Sequence, residues 1–423
     1  MEVNLNKRVI ILGGAGAILL IAIVTCSVLL LRKNKNDLAS QTPPVAQTEV
    51  QQQAASGVDL FPNSQTPPQT QNPVPAENNP GPENTNSSLP PALLKPPPPP
   101  PPPVSMERVK TQGCVADGLL TGYSPENMRF IDLINRSNCY YLHRAIETWL
   151  TPPDFSRIEN RKNQITKKDV VFGMFIAEAI DTKSTYYNEE KHRNFDFSKM
   201  CRKGSDNFWG EHTCQPAFSS EEYRDYVKQI TREAINLGIQ SFTFGQIYWQ
   251  EGSENKYAQE ITKDIRSYAK KGGADVIIGA QTGAISDPKY LKIFDYIEGG
   301  VGINSDGGIE SGPCLTRRGS CWALLWNKSY ASNAKNVLLH LDWTGVTYDD
   351  LDIFARMSPQ KRAQTLQNLY SYFTSRNMGF MMPYFGVLDS NNGGCYGPEK
   401  KYYSPDNSYT CKDEDTINKI LSK

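Results

Sequence analysis

Residues 337–343 read VLLHLDW. A half-exposed strand alternates polar and apolar residues; a nearly unbroken apolar run is what a strand covered on both faces looks like. The two polar residues, His340 and Asp342, stand two apart, so they share one face at the C-terminal end of the run. Five further runs have this character: Val170–Ile180 (VVFGMFIAEAI), Ser241–Gln250 (SFTFGQIYWQ), Asp275–Thr282 (DVIIGAQT), Tyr296–Ile303 (YIEGGVGI) and Gly379–Val387 (GFMMPYFGV). Between them lie stretches with a 3.6-residue apolar period: Ser220–Asn236, which opens with a capping-box SSEE, Asn255–Lys271 and Pro359–Arg376. Shorter helices are expected around Pro288–Phe294 and Trp322–Ala334. Strand and helix in alternation predict parallel strands joined by right-handed crossovers. The expected fold class is therefore α/β, a (β/α)8-like barrel of the TIM type. Six strands are legible and Met106–Lys168 offers only weak candidates for two more, so the barrel is expected to be irregular or incomplete. No G-x-G-x-x-G turn follows a strand and no P-loop is present, which disfavours a nucleotide-binding open sheet.

Phasing each strand by its polar residues gives one polar face. It carries Glu178 from the first legible strand, Gln246, Tyr248 and Gln250 from the second, and Gln281 from the third. Glu298 comes from the fourth, His340 and Asp342 from the fifth, and Tyr384 from the sixth. Buried carboxylates are costly unless paired or used, so several on one face mark a candidate site. Glu178, Glu298 and Asp342 are the expected catalytic carboxyls, although Glu298 comes early in its strand. Gln246, Tyr248, Trp249, Gln281, His340, Trp343 and Tyr384 are the expected substrate-binding residues, with Trp343 and Trp249 at the rim. For the glutamines and His340 the competing reading is a satisfied core hydrogen bond. Aromatic rings beside carboxyls and amides suit sugars, because a ring stacks on the C–H face of a pyranose while polar groups take its hydroxyls.

Outward from the barrel, the chain of 423 residues is a mosaic. Residues 1–8 form a short tail. Val9 to Leu31 is an uncharged apolar run of 23 residues, long enough to span a hydrocarbon core of ~30 Å. It is longer than a signal-peptide h-region and no A-x-A site follows, so an uncleaved anchor is expected. Residues 32–104 are a Pro-, Gln- and Asn-rich stalk ending in eight prolines, Pro96–Pro103, which predict a stiff polyproline II rod. Residues 105–168 are expected as an N-terminal helical part, and 169–423 as the barrel with disulfide-stapled loops.

Lys7 and Arg8 on one side of the anchor and Arg32, Lys33 and Lys35 on the other slightly favour an inside C-terminus. The cysteines argue the other way. Cys114, Cys139, Cys201, Cys214, Cys314, Cys321, Cys395 and Cys411 are an even set in loop-like sequence, as in an oxidising compartment. Eight cysteines allow about a hundred connectivities, of which nearest-neighbour pairing is the simplest. The expected placement is single-pass in the cell membrane with the C-terminal domain outside. A formal net charge of +0 gives no electrostatic footprint for nucleic acid. With no C-x-x-C and 4 His in the chain, no metal and no other cofactor is expected.

From Val170 to Leu388, strand order, polar strand ends and aromatic inserts resemble the (β/α)-barrel glycoside hydrolases. No diagnostic motif accompanies the resemblance. Asp295-Tyr-Ile-Glu298 faintly resembles the D-x-x-D-x-D-x-E strand of chitinase-like barrels, but most of its acids are missing, so no residue role is carried over. The resemblance implies a protein that hydrolyses or binds a glycan, and with the anchor and cysteines read above the expected glycan is one at the cell surface. The alternative is a non-catalytic glycan-binding, adhesion or structural envelope protein on a barrel scaffold, which the abundance of glutamine at strand ends favours.

Overall fold

A computed structural model of the protein describes residues 101–122, 127–251, 256–283, 285–310, 328–345 and 349–423. The apolar run 9–31, most of the stalk, and Cys314 and Cys321 lie outside the described residues. Among the described residues no helix is long and apolar enough to cross a membrane.

The core is a curled parallel sheet of the TIM type. Its strands are β1 (Gly113–Ala116), β2 (Tyr141–Glu147), β3 (Val171–Ile176), β4 (Ser241–Phe244), β5 (Ile277–Ala280), β6 (Tyr296–Gly300), β7 (Val337–His340) and β8 (379–387). Each pairs in parallel with the next. β8 is broken at Met381: Gly379–Phe380 pairs with β7, and Met382–Val387 pairs with β1. The ladder therefore returns to its start. The break lets one strand serve both neighbours.

The segment 105–168, expected to be helical, supplies the two missing strands as well as helices. β1 is four residues long, too short to register as a period. β2 reads YLHRAIE, and its polar residues interrupt the apolar run by which a buried strand is recognised. It also carries a bulge: its register against β3 shifts between Leu142 and Ile146, and Arg144 within the shift has φ +56°. A bulge re-aims side chains, and here consecutive residues, His143 and Arg144, both serve the interior.

The helices follow their sequence signals. Ser220 caps Glu221–Asn236, its hydroxyl accepting from the Tyr223 N–H, and Ser358 caps Pro359–Thr374 in the same way at Lys361. The second legible strand is shorter than expected. It stops at Phe244, and Ile247–Glu251 is a helical turn.

Alternate strands fill the barrel in layers. At the bottom, Tyr141, Ser241 and Tyr296 from β2, β4 and β6 bring their hydroxyls together. The Tyr141 and Tyr296 oxygens lie 3.0 Å apart, Ser241 donates to Tyr141 at 3.1 Å, and Thr243 meets Tyr296 at 2.6 Å. Gly279 on β5 makes room, since a Cβ there would sit 2.0 Å from the Tyr296 ring.

Among the described residues, three disulfides join nearest neighbours: Cys114–Cys139, Cys201–Cys214 and Cys395–Cys411. Cys114–Cys139 ties β1 to the approach of β2 across a sequence separation of 25. Closing a loop of that length in the unfolded chain is worth about 3 kcal/mol. The Cys114→Ala/Cys139→Ala double variant is therefore expected to lose about that much in urea denaturation. A loss under about 1 kcal/mol would show that the bridge does not restrain the unfolded chain.

Candidate functional site

The bottom hydroxyl layer leads upward into a buried His–Glu–His cluster. Tyr141 Oη lies 3.0 Å from His143 Nδ1. Glu298 Oε2 lies 2.7 Å from His340 Nε2 and 3.6 Å from His143 Nε2. The three side chains are 0–2 % exposed. Burial drives the His143 imidazole down to about 3. Burial opposes ionisation of Glu298, but the two histidines outweigh it and hold the carboxyl at about 2. For His340 burial is likewise opposed by Glu298, and its pKa ends above the ordinary value. Glu298 was expected among the catalytic carboxyls facing substrate. The structure instead seats it below the mouth, with one oxygen on His340, because it sits in the middle of β6 and not at its end.

Above this layer stands Arg144. Its guanidinium donates to Glu147 Oε2 from Nε at 2.8 Å and again from Nη2, and lies 3.4 Å from Asp117 Oδ1. It covers the Phe175 ring at 3.8 Å and the Trp343 ring at 4.8 Å. Glu147 also accepts the N–H groups of Thr148 and Trp149, and Asp117 accepts the Trp343 indole N–H at 2.9 Å. Arg144, Glu147, Asp117 and His143 were missed by sequence reasoning, because they lie in the segment not read as strand. The signal available was two charges and a histidine within the seven residues of β2.

Glu178 follows β3 and is 3 % exposed. Its Oε1 accepts from Gln246 Nε2 at 2.6 Å, and its buried Oε2 has no hydrogen-bond partner. Gly245 leaves the space: a Cβ there would fall 2.1 Å from Glu178 Oε2. Burial pushes the Glu178 carboxyl up to about 7, with Arg144 pulling down and Glu298 pushing up. The amides that favoured a binding module are therefore accounted for. Gln246 holds Glu178, Gln281 Oε1 accepts the Gln246 backbone N–H at 3.2 Å, and Tyr248 Oη donates to Gln246 Oε1 at 3.1 Å.

Asp342 lies just past β7 and is half-buried, with Oδ1 accepting the Trp343 N–H at 3.0 Å. Burial raises its carboxyl, opposed by His340 and reinforced by Glu298. Beside it Asp350, also missed from sequence, accepts the N–H groups of Val301, Gly302 and Ile303 at 2.8–3.1 Å. Glu298 and Arg144 act electrostatically on both Glu178 and Asp342.

The expected binding residues divide. Gln246, Tyr248, Gln281 and His340 join the cluster. Trp343 is 6 % exposed and packs its ring 4.9 Å from His340, so it is a wall and not a rim. Trp249, on the helical turn after β4, is half-buried with Arg202 4.8 Å over its ring. Tyr384 does not belong. It points away from the interior and donates to Asn418 on the C-terminal helix Glu414–Leu421 at 3.2 Å. The break at Met381 shifts which β8 residues face inward, and the six-strand phasing could not contain that shift. Trp149, Phe208 and Trp209 form an aromatic group, with Trp149 and Trp209 5.2 Å apart edge to face. It joins the loop after β2 to the insert after β3.

No protein-family model matches the chain, and neither does any curated protein sequence. Among solved structures, a GH113 beta-1,4-mannanase is 12% identical, covers 74% of this chain and 99% of its own, and has a TM-score of 0.43. An alpha-amylase of Anoxybacillus is 10% identical, covers 70% and 69%, and has a TM-score of 0.43. The alpha-galactosidase of Thermus thermophilus is 11% identical, covers 74% and 62%, and has a TM-score of 0.42. These neighbours are glycoside hydrolases, and the likeness is one of overall fold.

Proposed function

We propose that the chain is a glycoside hydrolase whose proton donor is Glu178 and whose second carboxylate is Asp342, acting on a glycan at the C-terminal mouth of the barrel. The observation that carries this reading is Glu178. It is buried at a strand end, held by one amide, has one oxygen free and is poised near 7. A carboxyl that stays protonated near neutrality can protonate a leaving glycosidic oxygen, and a second carboxyl then serves the anomeric carbon or activates water.

The local charge agrees. Asp117, Glu147 and Glu298 act on the guanidinium of Arg144, so the acids outnumber this cation and favour positive charge developing on a bound group. Glycoside cleavage passes through such an oxocarbenium-like state. Trp249 and the Trp149–Trp209 pair offer faces for sugar rings. Glu298 is reserved as a buried counter-charge and not as a group that meets substrate.

The extracytoplasmic, membrane-anchored placement is part of the proposal. Three disulfides support an oxidising compartment, and the uncharged run 9–31 supports the anchor.

The test is release of reducing ends from a panel of α- and β-linked polysaccharides by the purified full chain. Hydrolysis of at least one glycan is expected, with activity falling as pH rises through about 7, when Glu178 loses its proton. A folded protein that cleaves none of the panel, or one whose activity is flat through that range, overturns the assignment of Glu178.

A further inference from the structure

We propose that His143, Glu298 and His340 form a binding site for one divalent transition-metal ion, seated in the barrel beneath the carboxyls of the mouth. Each residue offers one ligand atom, and the three atoms lie within 4.8 Å of one another. In a tetrahedral site with bonds of about 2.0–2.1 Å, ligand atoms stand about 3.3 Å apart. The Glu298 contacts of 2.7 Å to His340 and 3.6 Å to His143 bracket that spacing, and the two histidine nitrogens reach it from within 4.8 Å by side-chain rotation.

Three further observations point to a ligand. His143 Nε2, His340 Nδ1 and Glu298 Oε1 are wholly buried and have no hydrogen-bond partner. Buried polar atoms are almost always satisfied, so three unsatisfied ones within a single cluster call for an occupant. His143 also has an outer partner that suits ligation: its Nδ1–H can donate to Tyr141 Oη, which fixes the Nε2 lone pair toward Glu298. Tyr141 is itself held by Ser241 and Tyr296. Finally, the nearest fixed cation, Arg144, is already matched by Glu147 and Asp117, so it leaves the Glu298 charge available.

Two imidazoles and one carboxylate are a donor set for zinc and its neighbours, not for magnesium or calcium. Binding replaces the Glu298–His340 hydrogen bond by two bonds to the ion; the Nε2 proton of a neutral His340 moves to Nδ1, and only a doubly protonated His340 would release one to solvent. Cys395, Cys411 and Asp413 also lie close together, but both sulfurs are committed to a disulfide and Asp413 pairs with Arg362 at 2.8 Å, so they form no second site.

The probe is Co2+, then Zn2+, added to the chelator-treated full chain, with visible absorption and calorimetry as readouts. One equivalent of Co2+ is expected to give the bands of a four- or five-coordinate nitrogen–oxygen site, and Zn2+ to displace it. Glu298→Gln should weaken uptake by more than about a hundredfold, and Tyr141→Phe, which touches only the outer partner, by roughly ten- to a hundredfold. Tyr141→Phe preserves shape, so it keeps the test decisive if Glu298→Gln does not fold. The proposal is overturned if folded wild type binds neither ion, or if Tyr141→Phe binds like wild type with its coordination bands unchanged. Because these readouts need no glycan, failure here is separate from failure of the hydrolase reading.

Discussion

Glu178→Gln is expected to lower kcat on whatever glycan the wild type cleaves by on the order of a hundred- to ten-thousandfold, while KM changes little. The amide keeps the shape of the carboxyl and can still meet Gln246, but it has no proton to give. A glycan with a good leaving group, such as a nitrophenyl glycoside, should lose less, because it needs less proton assistance. The same substitution has a signature in stability. The folded-state pKa of Glu178 stands above its ordinary value, so its contribution to stability is present at low pH and is lost as pH rises toward about 7. The Gln variant should therefore gain on wild type across that window when urea midpoints are compared. If Glu178→Gln keeps full activity on a natural polysaccharide, another group supplies the proton and the site must be reassigned around Asp342 and Asp350.

Arg144→Met is expected to be the most damaging single change to the fold, costing about 3–5 kcal/mol in urea denaturation with disulfides intact. Methionine fills much of the same volume, so the loss is chiefly electrostatic. It strands Glu147 Oε2 and Asp117 Oδ1 in the interior and removes the plate between Phe175 and Trp343. Arg144→Lys should recover part of the loss and not all, because an ammonium cannot donate in a fork and lie flat on two rings. The arginine also draws the Glu178 carboxyl downward, so without it the alkaline limb of activity should move to higher pH in any variant that folds. A cost under about 1 kcal/mol for Arg144→Met would mean that the contacts of the guanidinium with Glu147, Asp117, Phe175 and Trp343 contribute little to the fold.

The sequence by itself determined the α/β class, the order of six strands and the capped helix at Ser220. It also brought out Glu178, Gln246, Gln281, His340 and Asp342 as one polar face. All of these are written in local periods, caps or short spacings, which a strand or helix imposes on adjacent residues. Tertiary structure decided the rest. β2 hides its strand character because it carries His143, Arg144 and Glu147, and only closure of the barrel places those residues against Asp117, Glu298 and Trp343. The Trp343–Asp117 bond spans 226 positions, beyond the reach of any local pattern. The bulge at Arg144 and the break at Met381 each shift the inward phase, and a phase inferred from alternation alone cannot contain such a shift. That is why Tyr384 was assigned to the interior and faces Asn418. The depth of Glu298 was decided the same way. Its place in the middle of β6 sets it below the strand ends, and the two histidines that hold it ionised come from β2 and β7, which meet it only in the folded chain.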